Sequence, residues 1–123
     1  MTVPVKILYV DDESINLLLF HHTFKKKYDV LTAESGFKGL ELLSTNPDTR
    51  VIISDMKMPG MDGIEFIKEA KRLYPFIVFY ILTGYEITPE IQDALDTGLI
   101  SGYFQKPFKM KDIEDTILGN LNN

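Results

Sequence analysis

Val5-Lys6-Ile7-Leu8-Tyr9-Val10-Asp11-Asp12-Glu13 joins six mostly apolar residues to three carboxylates. A short apolar run with β-branched residues, stopped by acidic ones, reads as a buried strand. The carboxylates then sit at its carboxyl end. Downstream, Ile15, Leu18 and Leu19 recur at helical spacing from Ser14, with Leu17, Phe20 and Phe24 flanking. Lys25-Lys26-Lys27 closes that helix as a solvated terminus, where cations suit the helix dipole.

The alternation continues to the end of the chain. Residues 28–33 form a second, more mixed strand, expected at a sheet edge. Ser35 can cap a helix carrying Phe37, Leu40 and Leu43, which Pro47 closes. Residues 51–54 are a third strand. Asp62 with Glu65 makes a capping box for a helix bearing Ile64, Ile67, Ala70 and Leu73, ended by Tyr74-Pro75. Residues 77–82 are almost wholly apolar, as inside a parallel sheet. Thr88-Pro89 starts a helix through Ile91, Ala94 and Leu95 to Gly98. Residues 100–104 give a fifth strand. Ile113, Ile117 and Leu121 line a last helix, whose final turn Gly119 loosens.

Five strand–helix units predict an α/β three-layer sandwich: a five-stranded parallel sheet with five helices, flavodoxin-like, of order 2-1-3-4-5. The 123 residues make one domain, 1–123. Hydrophobic residues at 45% and charged residues at 25% exclude global disorder. Thirteen basic against eighteen acidic residues leave −5, so no basic excess exists for nucleic-acid binding. The lack of cysteine excludes disulfides, thiolate zinc sites and a cysteine nucleophile. No signal peptide or membrane span is visible, and a cytoplasmic location is expected.

In the 2-1-3-4-5 order the first and third strands are neighbours, which brings Asp11 and Asp12 close to Asp55. Carboxylates so close repel unless a cation joins them, and clustered hard oxygens suit Mg²⁺. The fourth strand ends at Thr83. Lys106, after the fifth, adds a positive charge. Each residue also has a plain role open to it. Asp11 can start a helix, Asp12 or Ser14 can cap one, and Asp55 can serve the turn before Met58-Pro59-Gly60. Thr83 can be a strand residue and Lys106 a surface lysine. Their convergence on one sheet edge favours a site.

Four segments carry a resemblance: residues 7–13, Ser54-Asp55-Met56-Lys57-Met58-Pro59-Gly60-Met61-Asp62-Gly63, Leu82-Thr83-Gly84, and Tyr103-Phe104-Gln105-Lys106-Pro107-Phe108. Together they resemble the receiver domain of bacterial two-component response regulators, of the chemotaxis-regulator type, over essentially the whole chain. The resemblance implies a phosphorylation-activated switch, with Asp55 as phosphoacceptor. It implies Mg²⁺ (or Mn²⁺) held by Asp11, Asp12, Asp55 and the Lys57 carbonyl. Thr83 and Lys106 bind the phosphoryl oxygens, Thr83 and Tyr103 form the switch pair, and Pro107 follows a cis bond. The phosphodonor is a sensor histidine kinase or a histidine phosphotransfer protein. The output is an unidentified protein or domain, read from the surface of the fourth helix, fifth strand and last helix. A phosphorylation-dependent dimer is a further expectation. Direct nucleic-acid binding, membrane association and catalysis beyond the domain's own phosphorylation and dephosphorylation are not expected.

The segment from Gly98 to Lys106 is one residue longer than the common family spacing. Lys57 and Tyr85 stand two residues after Asp55 and Thr83, and the resemblance implies that residues at such positions modulate dephosphorylation. His21 and His22 lack a phosphotransfer context and read as helix-face residues. Two other functions fit worse. A Mg²⁺-dependent phosphohydrolase places its nucleophile after the first strand with a general acid two residues on, where this chain has Glu13. A flavin carrier needs a glycine- and hydroxyl-rich phosphate loop, which Asp11-Asp12-Glu13 opposes.

Overall fold

The computed structural model describes residues 4–84 and 86–121. Strands and helices alternate as β1 Lys6–Val10, α1 Ser14–Phe24, β2 Asp29–Ala33, α2 Gly36–Thr45, β3 Val51–Ser54, α3 Gly63–Leu73, β4 Val78–Thr83, α4 Pro89–Asp96, β5 Gly102–Gln105 and α5 Met110–Leu121. The sheet is parallel with order β2-β1-β3-β4-β5. Among the described residues, no helix is long and apolar enough to cross a membrane.

Strand alternation sorts the core into two layers. Leu8, Val10, Ile52, Phe79 and Ile81 face α2, α3 and α4, where Leu43, Phe66, Ile67, Ile91 and Ala94 meet them. Ile7, Tyr9, Val51, Ile53, Tyr80 and Leu82 face α1 and α5, against Phe20, Phe24, Ile113 and Ile117. Local signals place the helices as read. Ser35 Oγ accepts from the Lys38 amide, Thr88 caps α4 ahead of Pro89, and Asp62 and Glu65 form a reciprocal capping box.

Three readings of buried faces are corrected. On α1 the stripe Ile15, Leu18 and Leu19 is exposed, at 72%, 70% and 55%, while Phe20 and Phe24 are buried. Apolar residues surround this helix, so periodicity could not choose a face. Ring packing did: Phe20 stacks on Tyr9 at 4.3 Å between centroids and also meets Phe24 and Phe108. On α2, Phe37 is exposed and the glycines turn inward. A Cβ on Gly39 would come within 2.9 Å of the Phe66 ring, so the larger residue cannot take that face. Leu73, at the last turn of α3, is likewise exposed.

Strand starts also shift. β2 begins at Asp29, because the Tyr28 amide donates to Phe24 O in the turn leaving α1. β4 runs Val78–Thr83, since the Ile77 amide is taken by Tyr74 O. β5 starts at Gly102, not residue 100, because the Ile100 amide donates to Ala94 O and closes α4. The longer α4–β5 connection turns at Gly98, where φ is +78°. Lys71 Nζ, on α3, donates to Gly98 O at 2.8 Å and ties that turn down.

Candidate functional site

The strand registers bring the carboxyl ends level. Val10 pairs with Ala33 and Ser54, Ser54 with Ile81, and Thr83 with Gln105. The ladders then extend one residue into the site. The Asp11 amide donates to Ala33 O (3.1 Å), that of Asp55 to Val10 O (2.8 Å), and that of Lys106 to Thr83 O (2.8 Å). Three side chains are thereby fixed by sheet backbone rather than by loops.

One carboxylate oxygen each from Asp11, Asp12 and Asp55 lies within 4.8 Å of the others. Asp11 is fully buried and Asp55 nearly so, while Asp12 faces solvent. Lys106 Nζ sits 2.9 Å from Asp11 Oδ2 and 3.4 Å from Asp55 Oδ1. Neither Asp12 nor Ser14 caps α1. Its cap position is Glu13, and Asp11 Oδ1 accepts the Glu13 amide at 3.0 Å.

Burial pushes Asp11 up, but hydrogen bonds from Tyr9, the Glu13 amide and Lys106 outweigh it and hold the carboxyl below its ordinary range. Burial and then the Asp11 charge push Asp55 up to about 6, against the pull of Lys106 and the Met56 amide. Burial works against the Lys106 charge, but Asp11 and Asp55 win and hold the ammonium above its usual range. Asp11 is thus a fixed anion, Lys106 a fixed cation and Asp55 a carboxylate short of compensation. Lys106 pairs with Asp11 and Asp55, and Asp12 adds a third carboxylate to the cluster. That hard-oxygen set, with Asp12 open to water, fits a divalent cation that keeps part of its hydration shell.

Thr83 is buried at the end of β4, and its carbonyl accepts the Lys106 amide. Tyr103 lies half-buried on β5, level with Ile81 and packed toward the α2–α4 layer. Alternation puts Thr83 on that same face. Lys57 is exposed, two residues beyond Asp55 in the turn containing Gly60. Tyr85 lies outside the described residues. The Lys106–Pro107 bond is cis, as the resemblance implies.

Three residues at the site escaped the sequence reading. The Tyr9 hydroxyl donates to Asp11 Oδ2 at 2.6 Å, and Asn16 Nδ2 approaches the same oxygen at 3.2 Å. Gly63 admits the backbone: a Cβ there would stand 2.3 Å from Asp55 O. For Tyr9 the available signal was a phenol in an apolar run, two residues before Asp11. For Gly63 it was a glycine directly after a capping aspartate.

Residues 7–118 match the response regulator receiver domain family. The chain belongs to that family. Sporulation initiation phosphotransferase F of Bacillus subtilis is 35% identical over 114 residues, spanning 91% of this chain and 90% of that protein. A chemotaxis protein CheY homolog of Campylobacter jejuni is 33% identical over 122 residues, spanning 94% and 93%. A response regulator receiver domain protein from Clostridium thermocellum superposes with a TM-score of 0.85 at 31% identity, covering 96% of this chain and 94% of that one. Receiver domains are phosphorylation-activated signalling switches of two-component systems, modified on an aspartate. They bind Mg²⁺ at an acidic cluster, and Asp11, Asp12 and Asp55 form such a cluster in this receiver.

Proposed function

We propose that Asp55 is the aspartate this receiver phosphorylates. The observation that carries the reading is Lys106, whose ammonium bridges the buried Asp11 and Asp55 at the carboxyl end of the sheet, where Asp12 joins them. An Asp55 oxygen attacks phosphorus, the new O–P bond forms, and the N–P bond to a donor imidazole breaks with its electron pair left on nitrogen. Lys106 moves from the carboxylates to the phosphoryl oxygens and neutralises charge there. Thr83 donates its hydroxyl to another of them. Asp11, Asp12, Asp55 and the Lys57 carbonyl would hold Mg²⁺ or Mn²⁺, which supplies Lewis-acid neutralisation of the phosphoryl group when bound.

The phosphoryl group adds about −1.5 to −2 charge. Thr83 swings toward it, and Tyr103, on the same face, fills the space left behind. The surface of α4, β5 and α5 repacks, which is a two-state element biased by local charge. Residues 1–123 act as one receiver domain in the cytoplasm, and the chain's only catalysis is its own phosphorylation and dephosphorylation. A sensor histidine kinase or histidine phosphotransfer protein supplies the phosphoryl group, and an output protein or domain, or a second copy of the chain, reads the altered face.

Acetyl phosphate with Mg²⁺ tests the reading by phosphate-affinity electrophoresis and mass spectrometry. Labelling on Asp55, absent in Asp55→Asn, is the expected result. Asp55→Asn retaining full labelling would sink the assignment. Mg²⁺ should also raise the melting temperature by binding the native state, and Asp12→Ala should blunt that shift.

A further inference from the structure

Asp11 Oδ2 is crowded in a way the phosphorylation chemistry alone does not require. It accepts from the Tyr9 hydroxyl (2.6 Å), from Lys106 Nζ (2.9 Å) and from Asn16 Nδ2 (3.2 Å). Tyr9 is itself fully buried on β1 and clamped by its ring stack on Phe20. Of the donors on this oxygen, Lys106 is the one that the chemistry calls away. Without Tyr9 and Asn16, its departure would strand a charged oxygen in a fully buried position, which is costly.

We propose that the Tyr9 hydroxyl, supported by Asn16, is a positioning group for the cation site: it holds one oxygen of Asp11 so that the carboxylate keeps its orientation toward the ion when Lys106 leaves. Outer hydrogen bonds of this kind fix the orientation of a ligand, and their loss weakens metal affinity by roughly ten- to a hundredfold. The inference rests on the proposed cation-assisted phosphorylation of Asp55.

Tyr9→Phe keeps the ring and removes only the donor. The Mg²⁺ dissociation constant, measured by calorimetry, should rise roughly tenfold in Tyr9→Phe. In an Asp11→Asn background the same change should move it by less than about twofold, because the oxygen it acts through has changed. Asn16→Ala, on the half-buried side of α1, should show a smaller rise with the same dependence on Asp11. Initial phosphorylation rates should show a higher half-saturating Mg²⁺ and a nearly unchanged maximum. Unchanged Mg²⁺ affinity in Tyr9→Phe overturns the proposal, as does an equal rise with and without Asp11. A wild type labelled on Asp55 with Mg²⁺ separates that failure from failure of the functional reading. A wild type that neither binds Mg²⁺ nor is labelled removes both.

Discussion

Two lysines of this receiver each lie between two aspartates, at opposite ends of the sheet. At the amino end, Lys6 Nζ sits 3.0 Å from Asp48 and 3.8 Å from Asp29. At the carboxyl end, Lys106 Nζ sits 2.9 Å from Asp11 and 3.4 Å from Asp55. The lysines are similarly covered, at 17% and 22% side-chain exposure, but their partners differ. Asp29 and Asp48 are 53% and 69% exposed, against 0% and 11% for Asp11 and Asp55. Water can replace Lys6 at the first pair of carboxylates and cannot reach the second in the same way. One trio is therefore a surface ion pair of little consequence, and the other is a charged site whose imbalance has chemical use.

Removing the two lysines in turn should separate the trios most sharply. Lys106→Met should slow Asp55 phosphorylation by roughly a hundredfold, the scale seen when a preorganised charge is lost from a transition state. Lys6→Met should leave the rate within about twofold. Comparable losses from the two would mean that burial does not distinguish them.

Backbone packing at the carboxyl end should be the next most sensitive. Gly63→Ala places a methyl against the Asp55 carbonyl and should cost about 2–4 kcal/mol in denaturant unfolding. Gly119→Ala, in open space on α5, should be neutral or stabilise by about 0.5–1 kcal/mol. If Gly63→Ala proved as mild as Gly119→Ala, the close approach of α3 to Asp55 would not be a constraint.

The smallest effect concerns pH. Asp55 has its carboxyl raised in the folded protein, so its contribution to stability is fully present below about pH 4. It is lost as pH rises through about 6. Metal-free wild type should lose about 1 kcal/mol relative to Asp55→Asn between about pH 5 and about pH 7.5. Mg²⁺ should cancel that loss. Asp48, with its carboxyl lowered chiefly by the Lys6 hydrogen bond, has the opposite sign and loses its contribution as pH falls. Parallel pH profiles for wild type and Asp55→Asn would contradict the charge imbalance.

The two ends were not equally legible in the sequence. Asp11, Asp55 and Lys106 could be placed because each directly follows an apolar strand, and strand order then sets their neighbourhood. The start of α3 was legible because Asp62 and Glu65 act locally. Tyr9 and Asn16 were not, because a tyrosine in an apolar run and an asparagine on a helix have ordinary roles until the fold brings Asp11 between them. The buried face of α1 was hidden for a different reason. Nearly every residue from Ile15 to Phe20 is apolar, so the choice fell to which rings meet Tyr9 and Phe108 across the layer. The onset of β5 was set by Ile100 spending its amide on α4, a contact no strand propensity encodes.

The bond between Lys106 and Asp11 joins residues 95 apart in sequence. Asp55, its acidic neighbours and the Lys106 ammonium follow the first, third and fifth strands, so no shorter fragment of the chain brings the proposed site together. During synthesis a chain that has made β1 and β3 carries exposed carboxylates but not the ammonium that completes them. Competence to receive a phosphoryl group should therefore arise late, when β5 docks, and should vanish early in unfolding, when it leaves. On the proposed reading, a phosphoryl group would be accepted only by molecules that have finished folding, and the chemistry would check the integrity of its own carrier.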